Sequence, residues 1–290
     1  MPIPSSILLA TDLSARSDRA LDRAVRLARD WRAELVIATV VESLPESSRD
    51  LIEGASTRGG GSPVERARRR LLNDLGDLPG NVRILVEEGE PAAQIAAIAE
   101  REGCGLIVTG TARDETLGRM VLGTTVERLV RAVPIPVLVV KRRAMREYRQ
   151  LLVTTDFSEA SAYSLGLAAG LFPDAALALL HGHEIPFALS SREDTFLDYQ
   201  WRIEQKEVDA FLDRSGLDAG RRAGLDLLME QGDPVHLAQT YIADHDIQLT
   251  VVASHGRSAL YELAIGSIAQ RLVEALDSDI LLVRRARDGG

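Results

Sequence analysis

Val251 to Ser267 reads VVASHGRSALYELAIGS. An apolar run ends at Ala253, a polar turn carries Ser254, His255 and Gly256, and nine residues intervene before Gly266 and Ser267. Apolar residues then return at helical spacing from Ile268 to Leu276. A strand, a glycine-bearing turn and a small-residue helix start leave bare backbone N–H groups facing outward. Helix N-termini carry partial positive charge and unpaired donors, so an anion such as phosphate suits the place. The frame occurs twice. Residues 107–125, IVTGTARDETLGRMVLGTT, set Gly110, Arg113, Gly123 and Thr124 at the same relative positions.

The rest of the chain repeats in the same register. The apolar run Ile7 to Ala10 ends at Thr11-Asp12, and Leu151 to Val153 leads to Thr154-Thr155-Asp156, which sets the two aspartates 144 residues apart. Gly89-Glu90-Pro91 returns as Gly232-Asp233-Pro234 at a spacing of 143, the spacing that also separates Gly123 from Gly266. Anchors in constant register mark an internal duplication, with domains at 1–144 and 145–290. A chain of 290 residues is long enough for two such domains, each with its own core.

Within the first repeat, short apolar runs at Leu35–Val41, Val82–Val86, Leu106–Thr109 and Val137–Val140 read as further strands. Helical spacing covers Ser14–Trp31, Ala92–Arg101 and Thr124–Ala132, and Ser62-Pro63 reads as an N-cap opening a helix to about Leu75. Residues 42–62 lose periodicity and read as a surface loop. Alternating strands and helices predict an α/β fold: two tandem doubly wound domains, each a five-stranded parallel sheet in the order 3-2-1-4-5 with helices on both faces. That order makes the first and fourth strands central neighbours. It brings Asp156 beside Ala253–Gly256 and Asp12 beside Gly110–Arg113, in the crevice where such sheets bind ligands.

Composition excludes several classes. There are 34 basic and 43 acidic residues, a net charge of −9, which argues against sequence-independent binding to nucleic acid or an anionic membrane. The clusters Arg66–Arg70 and Lys141–Arg146 read as a solvated face and a linker. The single cysteine, Cys104, precludes an internal disulfide and reads as a small buried hydrophobe. The N-terminus has no basic region and only a short apolar run, so a cytoplasmic location is expected.

At these residues a resemblance becomes specific. Each half resembles a universal stress protein domain, and together they resemble the tandem class of that family. The resemblance rests on Thr11-Asp12-Leu13-Ser14 and Thr155-Asp156-Phe157-Ser158, on the G-x-P turn, and on the glycine frame followed by a Val/Leu-rich last strand. It implies that the frame, G-x2-G-x9-G-[ST] in nucleotide-binding members, cradles the phosphates of ATP or another adenine nucleotide with Mg, while the strand-one aspartate meets the nucleoside. The implied contacts in the second half are Thr155, Asp156, Ala253, His255 and Gly256, then Gly266, Ser267 and Ile268. In the first half they are Thr11, Asp12 and Val41, then Gly110, Arg113, Gly123 and Thr124. Two positions depart from the frame. Ala253 replaces a glycine at the cost of one methyl. Arg113 replaces another, and either fills the crevice or contacts a phosphate directly. The second half is therefore expected to be the main site.

The resemblance further implies that the two halves pair through their last strands, Pro136–Val140 and Asp279–Val283, with a homodimer as a further contact. The aromatic-rich stretch Phe196 to Phe211, with Tyr199, Trp201 and Ile203, reads as core packing or a subunit contact. His181, His183 and His255 with Asp156 form a weak candidate metal set, against the reading that His181 packs and His255 lines the crevice. No nucleophile elbow or Walker loop occurs, and one carboxylate per crevice lacks an acid partner. The expectation is a non-catalytic stress-response module, with slow ATP hydrolysis incidental at most. The alternative is a nucleotide-free interaction scaffold whose clefts are vestigial.

Overall fold

The computed structural model describes residues 2–14, 17–42, 62–75, 81–113, 120–121, 123–183, 206–254 and 265–285. By contact the chain divides into two units, one of residues 4–111 and 123–144, the other of residues 145–290 with 1–3 and 112–122.

The first unit is built on β1 (Ser6–Ala10), buried at every residue because it lies inside a sheet covered on both faces. Around it stand β2 (Glu34–Val41), β3 (Val82–Glu88), β4 (Ile107–Gly110) and the last strand, Val137–Val140. All pair in parallel, in the order β3-β2-β1-β4-last. This is the 3-2-1-4-5 arrangement expected from the sequence. Between β4 and the last strand, β5 (Ala112–Arg113) and β6 (Met120–Val121) form a short antiparallel hairpin, so the last strand is β7.

Among the described residues four helices cover this sheet: α1 (Asp18–Trp31), α2 (Pro63–Leu75), α3 (Pro91–Arg101) and α4 (Thr124–Ala132). Right-handed crossovers put α1 and α2 on one face and α3 and α4 on the other. In keeping with that, α1 rests on β1 and β4, and α3 packs against α4. The helices bury small and branched residues, such as Ala20, Ala24 and Leu27 of α1 and Ile95, Ile98 and Ala99 of α3. The start of α2 is a reciprocal capping box: Glu65 N donates to Ser62 Oγ at 3.2 Å and Ser62 N donates to Glu65 Oε2 at 2.8 Å.

The second unit repeats the plan. Its strands are β8 (Gln150–Thr154), β9 (Ala176–His183), β10 (Asp226–Gln231), β11 (Leu249–Ala253) and β12 (Asp279–Val283), parallel in the order β10-β9-β8-β11-β12. Its helices are α5 (Glu159–Leu171), α6 (residues 206–215), α7 (Ala219–Ala223), α8 (Pro234–His245) and α9 (Ser267–Ala275). α5 is buried on several sides, and an added Cβ at Gly166 would stand 2.2 Å from the Ser215 carbonyl oxygen. A glycine is what lets α5 approach that turn.

The G-x-P turns explain themselves locally. Gly89 and Gly232 hold φ of +150° and +147°, a region closed to side chains. The acidic residue that follows caps the next helix: Glu90 accepts from Ala93 N at 2.8 Å, and Asp233 from Val235 N at 3.4 Å. Proline then stands at the first helical position, where no N–H is needed.

Two expectations are corrected. α1 begins at Asp18 rather than Ser14, because Leu13 adopts φ +60° and diverts the chain into a turn. Lys141 is not part of a solvated linker but buried, and its carbonyl accepts from Arg19 Nη1 at 2.6 Å. On the other side of the linker, buried Tyr148 donates to Asp279 Oδ2 at 2.6 Å. Cys104 is buried as expected, 3.3 Å from Ser6 Oγ, and burial pushes its thiol pKa up. No helix among the described residues is long and apolar enough to cross a membrane.

Candidate functional site

Each unit assembles its candidate site at the carboxyl ends of its central strands. Val153 pairs with Val251, which brings Thr155 level with Ala253; Ala10 pairs with Thr109, which brings Thr11 level with Gly110. Asp12 and Asp156 therefore stand next to the glycine frames, as expected.

The strand-one loops are built alike. In the first, Leu13 N donates to Thr11 Oγ1 at 3.1 Å, while Asp12 Oδ1 accepts from Ser14 N at 3.0 Å and from Ser17 Oγ at 2.7 Å. In the second, Phe157 N donates to Thr155 Oγ1 at 2.9 Å, and Asp156 Oδ1 accepts from Ser158 N and Ser161 Oγ, both at 3.1 Å. One carboxylate oxygen is thus committed to shaping the turn. Partial burial raises the Asp12 pKa, but the hydrogen bonds from Ser14 and Ser17 outweigh it and leave it below the usual value, so Asp12 is ionised at neutral pH.

From the second strand, Thr39 Oγ1 donates to Thr11 O at 2.7 Å, and His181 Nδ1 lies 2.8 Å from Thr155 O. A carbonyl only accepts, so Nδ1 carries the proton. The ring also packs on Phe157, with centroids 4.5 Å apart. The nitrogen that faces the carbonyl is unavailable to a metal, which weakens the histidine set. His255 and the side chain of His183 lie outside the described residues, as do Gly256 and the side chain of Arg113; so do residues 43–61 and Phe196, Tyr199, Trp201 and Ile203. Among the described residues no His/Cys/Asp/Glu group could hold a metal ion. Val41 ends β2 on the same side of the sheet.

The glycine frame closes on its own strand. Ser254 N donates to Val283 O at 2.8 Å, and Gly266 N donates back to Ser254 O at 2.9 Å. The chain that leaves β11 therefore returns to its end, and α9 starts there. Gly266 and Gly123 are the N-caps of α9 and α4, with φ/ψ of −57°/145° and −62°/145°, and no side chain caps either helix. α3, α5, α7 and α8, in contrast, carry the side-chain caps Glu90, Ser158, Asp218 and Asp233. Ser267, Ile268 and Thr124 open these two glycine-capped helices, Ile268 42% exposed.

Sequence reasoning missed the arginines around this rim. Arg128 donates to Glu90 Oε1 at 3.0 Å and Arg271 to Asp233 Oδ2 at 2.6 Å, tying each glycine-capped helix to the G-x-P turn of its own unit. Their spacing of 143 was the available signal.

The universal stress protein family model matches residues 5–141 and again residues 147–284. The chain belongs to the universal stress protein family. It is 32% identical over 144 residues to a universal stress protein of Methanocaldococcus jannaschii, a match covering 47% of this chain and 81% of the relative. A solved putative universal stress protein from Pseudomonas aeruginosa shares the fold over 97% of this chain and 93% of its own, with 20% identity and a TM-score of 0.66. One from Archaeoglobus fulgidus does so over 97% and 99%, with 15% identity and a TM-score of 0.65. As a tandem family member the chain carries two copies of the family domain in one polypeptide.

Proposed function

We propose that this universal stress protein binds an adenine nucleotide, ATP with magnesium on its phosphates, mainly in the second half, and acts as a non-catalytic stress-response module. The observation that carries the reading is Gly266. Its angles suit any residue, and an added Cβ would meet only Ser254 O, at 3.7 Å, among the described residues. Among the described residues nothing demands a glycine there. A ligand that approaches the start of α9 does, and uncapped N–H groups at a helix N-terminus favour phosphate. The strand-one loop at Thr155-Asp156 supplies the neighbouring surface for the nucleoside.

Among the described residues the site offers a turn-bound carboxylate and backbone donors, with no acid–base pair for efficient hydrolysis. Function then rests on binding: nucleotide held beside Ser254 and Gly266 alters a partner surface. We further propose that β7 and β12 pair the halves internally, and that the protein works in the cytoplasm.

The test is to denature freshly purified protein and identify released small molecules by mass spectrometry, followed by titration calorimetry with Mg-ATP. One adenine nucleotide per chain supports the second cleft alone, and two per chain make Arg113 a ligand. No release and no binding heat removes the reading in favour of the interaction scaffold. Light scattering at 31.5 kDa supports internal pairing, and twice that mass a homodimer.

A further inference from the structure

Four described residues other than glycine hold positive φ: Leu13 and Phe157 at 60°, Arg32 at 54° and Asp246 at 48°. Arg32 and Asp246 end helices, where the left-handed conformation is routine. Leu13 and Phe157 follow the two aspartates and are bulky, so their conformation is disfavoured unless the surroundings impose it. The local hydrogen bonds to the Thr11, Asp12, Thr155 and Asp156 side chains shape the turns but leave the carbonyls of Leu13 and Phe157 to other partners. Those carbonyls are met from another element. Arg70 Nη2, on α2, donates to Leu13 O at 3.2 Å. Arg214 Nη2, on α6, donates to Phe157 O at 3.0 Å. Each arginine lies 57 residues beyond its acceptor.

We infer that Arg70 and Arg214 are positioning residues for the nucleotide clefts, each latching its strand-one loop in the left-handed conformation that aims the aspartate at the ligand. The inference rests on the nucleotide reading. A guanidinium bonded to the carbonyl selects the peptide orientation: rotation of Leu13 or Phe157 to right-handed angles swings the carbonyl off the donor. The arrangement recurs although the residues around it differ. Phe157 packs edge-on against Phe211 with centroids 5.3 Å apart and lies over His181, while the first half has a leucine in its place. Both halves retain the bond from arginine to carbonyl, alongside the Thr and Asp hydrogen bonds of the turn. Arginine suits the role because its planar fork donates from a set position, whereas a lysine ammonium gives one mobile bond.

The test compares full-length wild type with Arg214→Met and Arg214→Lys in two measurements. Calorimetry with Mg-ATP reads the cleft; the three-bond amide–Hα coupling of Phe157, taken without nucleotide, reads φ directly. Arg214→Met is expected to weaken nucleotide binding roughly five- to thirtyfold, the preference lost when a left-handed residue is set free. Its Phe157 coupling should fall toward the right-handed value, and Arg214→Lys should recover part of both. A merely structural arginine would lower the melting temperature and leave the Phe157 coupling of the folded protein unchanged, which overturns the inference. Wild-type affinity in Arg214→Met also overturns it. Absence of binding in the wild type removes the nucleotide reading instead, and the coupling then decides whether the latch exists. If Arg214→Met does not fold, Arg214→Lys and the first-half variant Arg70→Met, read at Leu13, carry the same comparison.

Discussion

Gly266→Ala separates fold from function at a single atom. The backbone at Gly266 has φ −57° and ψ 145°, an extended conformation open to every L-residue. The new methyl would touch Ser254 O at 3.7 Å, an ordinary contact. Two small terms oppose each other in stability. Replacing glycine at a compatible site stabilises by about 0.4–1 kcal/mol through the unfolded chain. Alanine is a poorer N-cap than glycine by an amount of the same order, roughly 0.5–1 kcal/mol. The net change should lie within about 1 kcal/mol of zero, or about 2–4 °C in Tm for a unit of this size. Binding responds differently. A phosphate oxygen drawn onto the first N–H groups of α9 would have to share its space with the methyl. Weakening even one charge-assisted hydrogen bond costs about 1.5–3 kcal/mol, a loss in affinity of roughly ten- to a hundredfold. Urea unfolding and Mg-ATP calorimetry on the same preparation measure both quantities. A variant that binds as tightly as wild type refutes the claim that phosphate approaches Gly266. A variant destabilised by more than about 2 kcal/mol shows instead that the glycine serves the fold.

Gly166→Ala should behave in the opposite sense. Its Cβ would fall 2.2 Å from Ser215 O, a backbone atom in a turn that the Ser215 hydroxyl ties to Leu212 O at 2.7 Å. Overpacking of about 1–3 kcal/mol exceeds the gain of about 1 kcal/mol in helix propensity, so the urea midpoint of the second unit should drop. A rise would show that the turn yields freely. Ser62→Ala removes one arm of the capping box on α2 and should destabilise that helix by about 1 kcal/mol, read by hydrogen exchange at its first turn; unchanged exchange would mean the box is not formed in solution. Tyr241 has its pKa pushed up to about 12 by burial first and by its 2.7 Å hydrogen bond to Asp226 second. Because the folded value exceeds the ordinary one of 10, its contribution to stability is complete below pH 10 and fades as pH rises through 12. Ultraviolet titration should show a late tyrosine, absent in Tyr241→Phe and brought down in part by Asp226→Asn; an unmoved midpoint in the latter variant would remove the Asp226 contribution.

What the sequence made legible follows from how short the informative ranges are. Ile7 to Ala10 and Leu151 to Val153 are buried on both faces, so each reads as a strand without reference to any neighbour. Gly89-Glu90-Pro91 announces itself because three residue types answer three local needs: a positive φ, a cap and a missing donor. The constant spacing then orders the sheet, since a duplicated chain has to fold the same way twice. Failures began where conformation depends on hydrogen bonds that hydrophobic periodicity does not report, local at α1 and distant in sequence elsewhere. The helical period extends back to Ser14, yet α1 waits until Asp18, because the hydrogen bonds of Thr11 and Asp12 hold the intervening turn open. Lys141 looked solvated in a run of charges, and only the fold shows it buried, with α1 donating to its carbonyl through Arg19. Arg70 and Arg214 left no local trace. Each acts across 57 residues on a backbone carbonyl, and a carbonyl has no residue type to read. The one signal was their common spacing from the aspartates. In a duplicated chain, the same spacing test that locates the ligand frame also locates the residues that brace it.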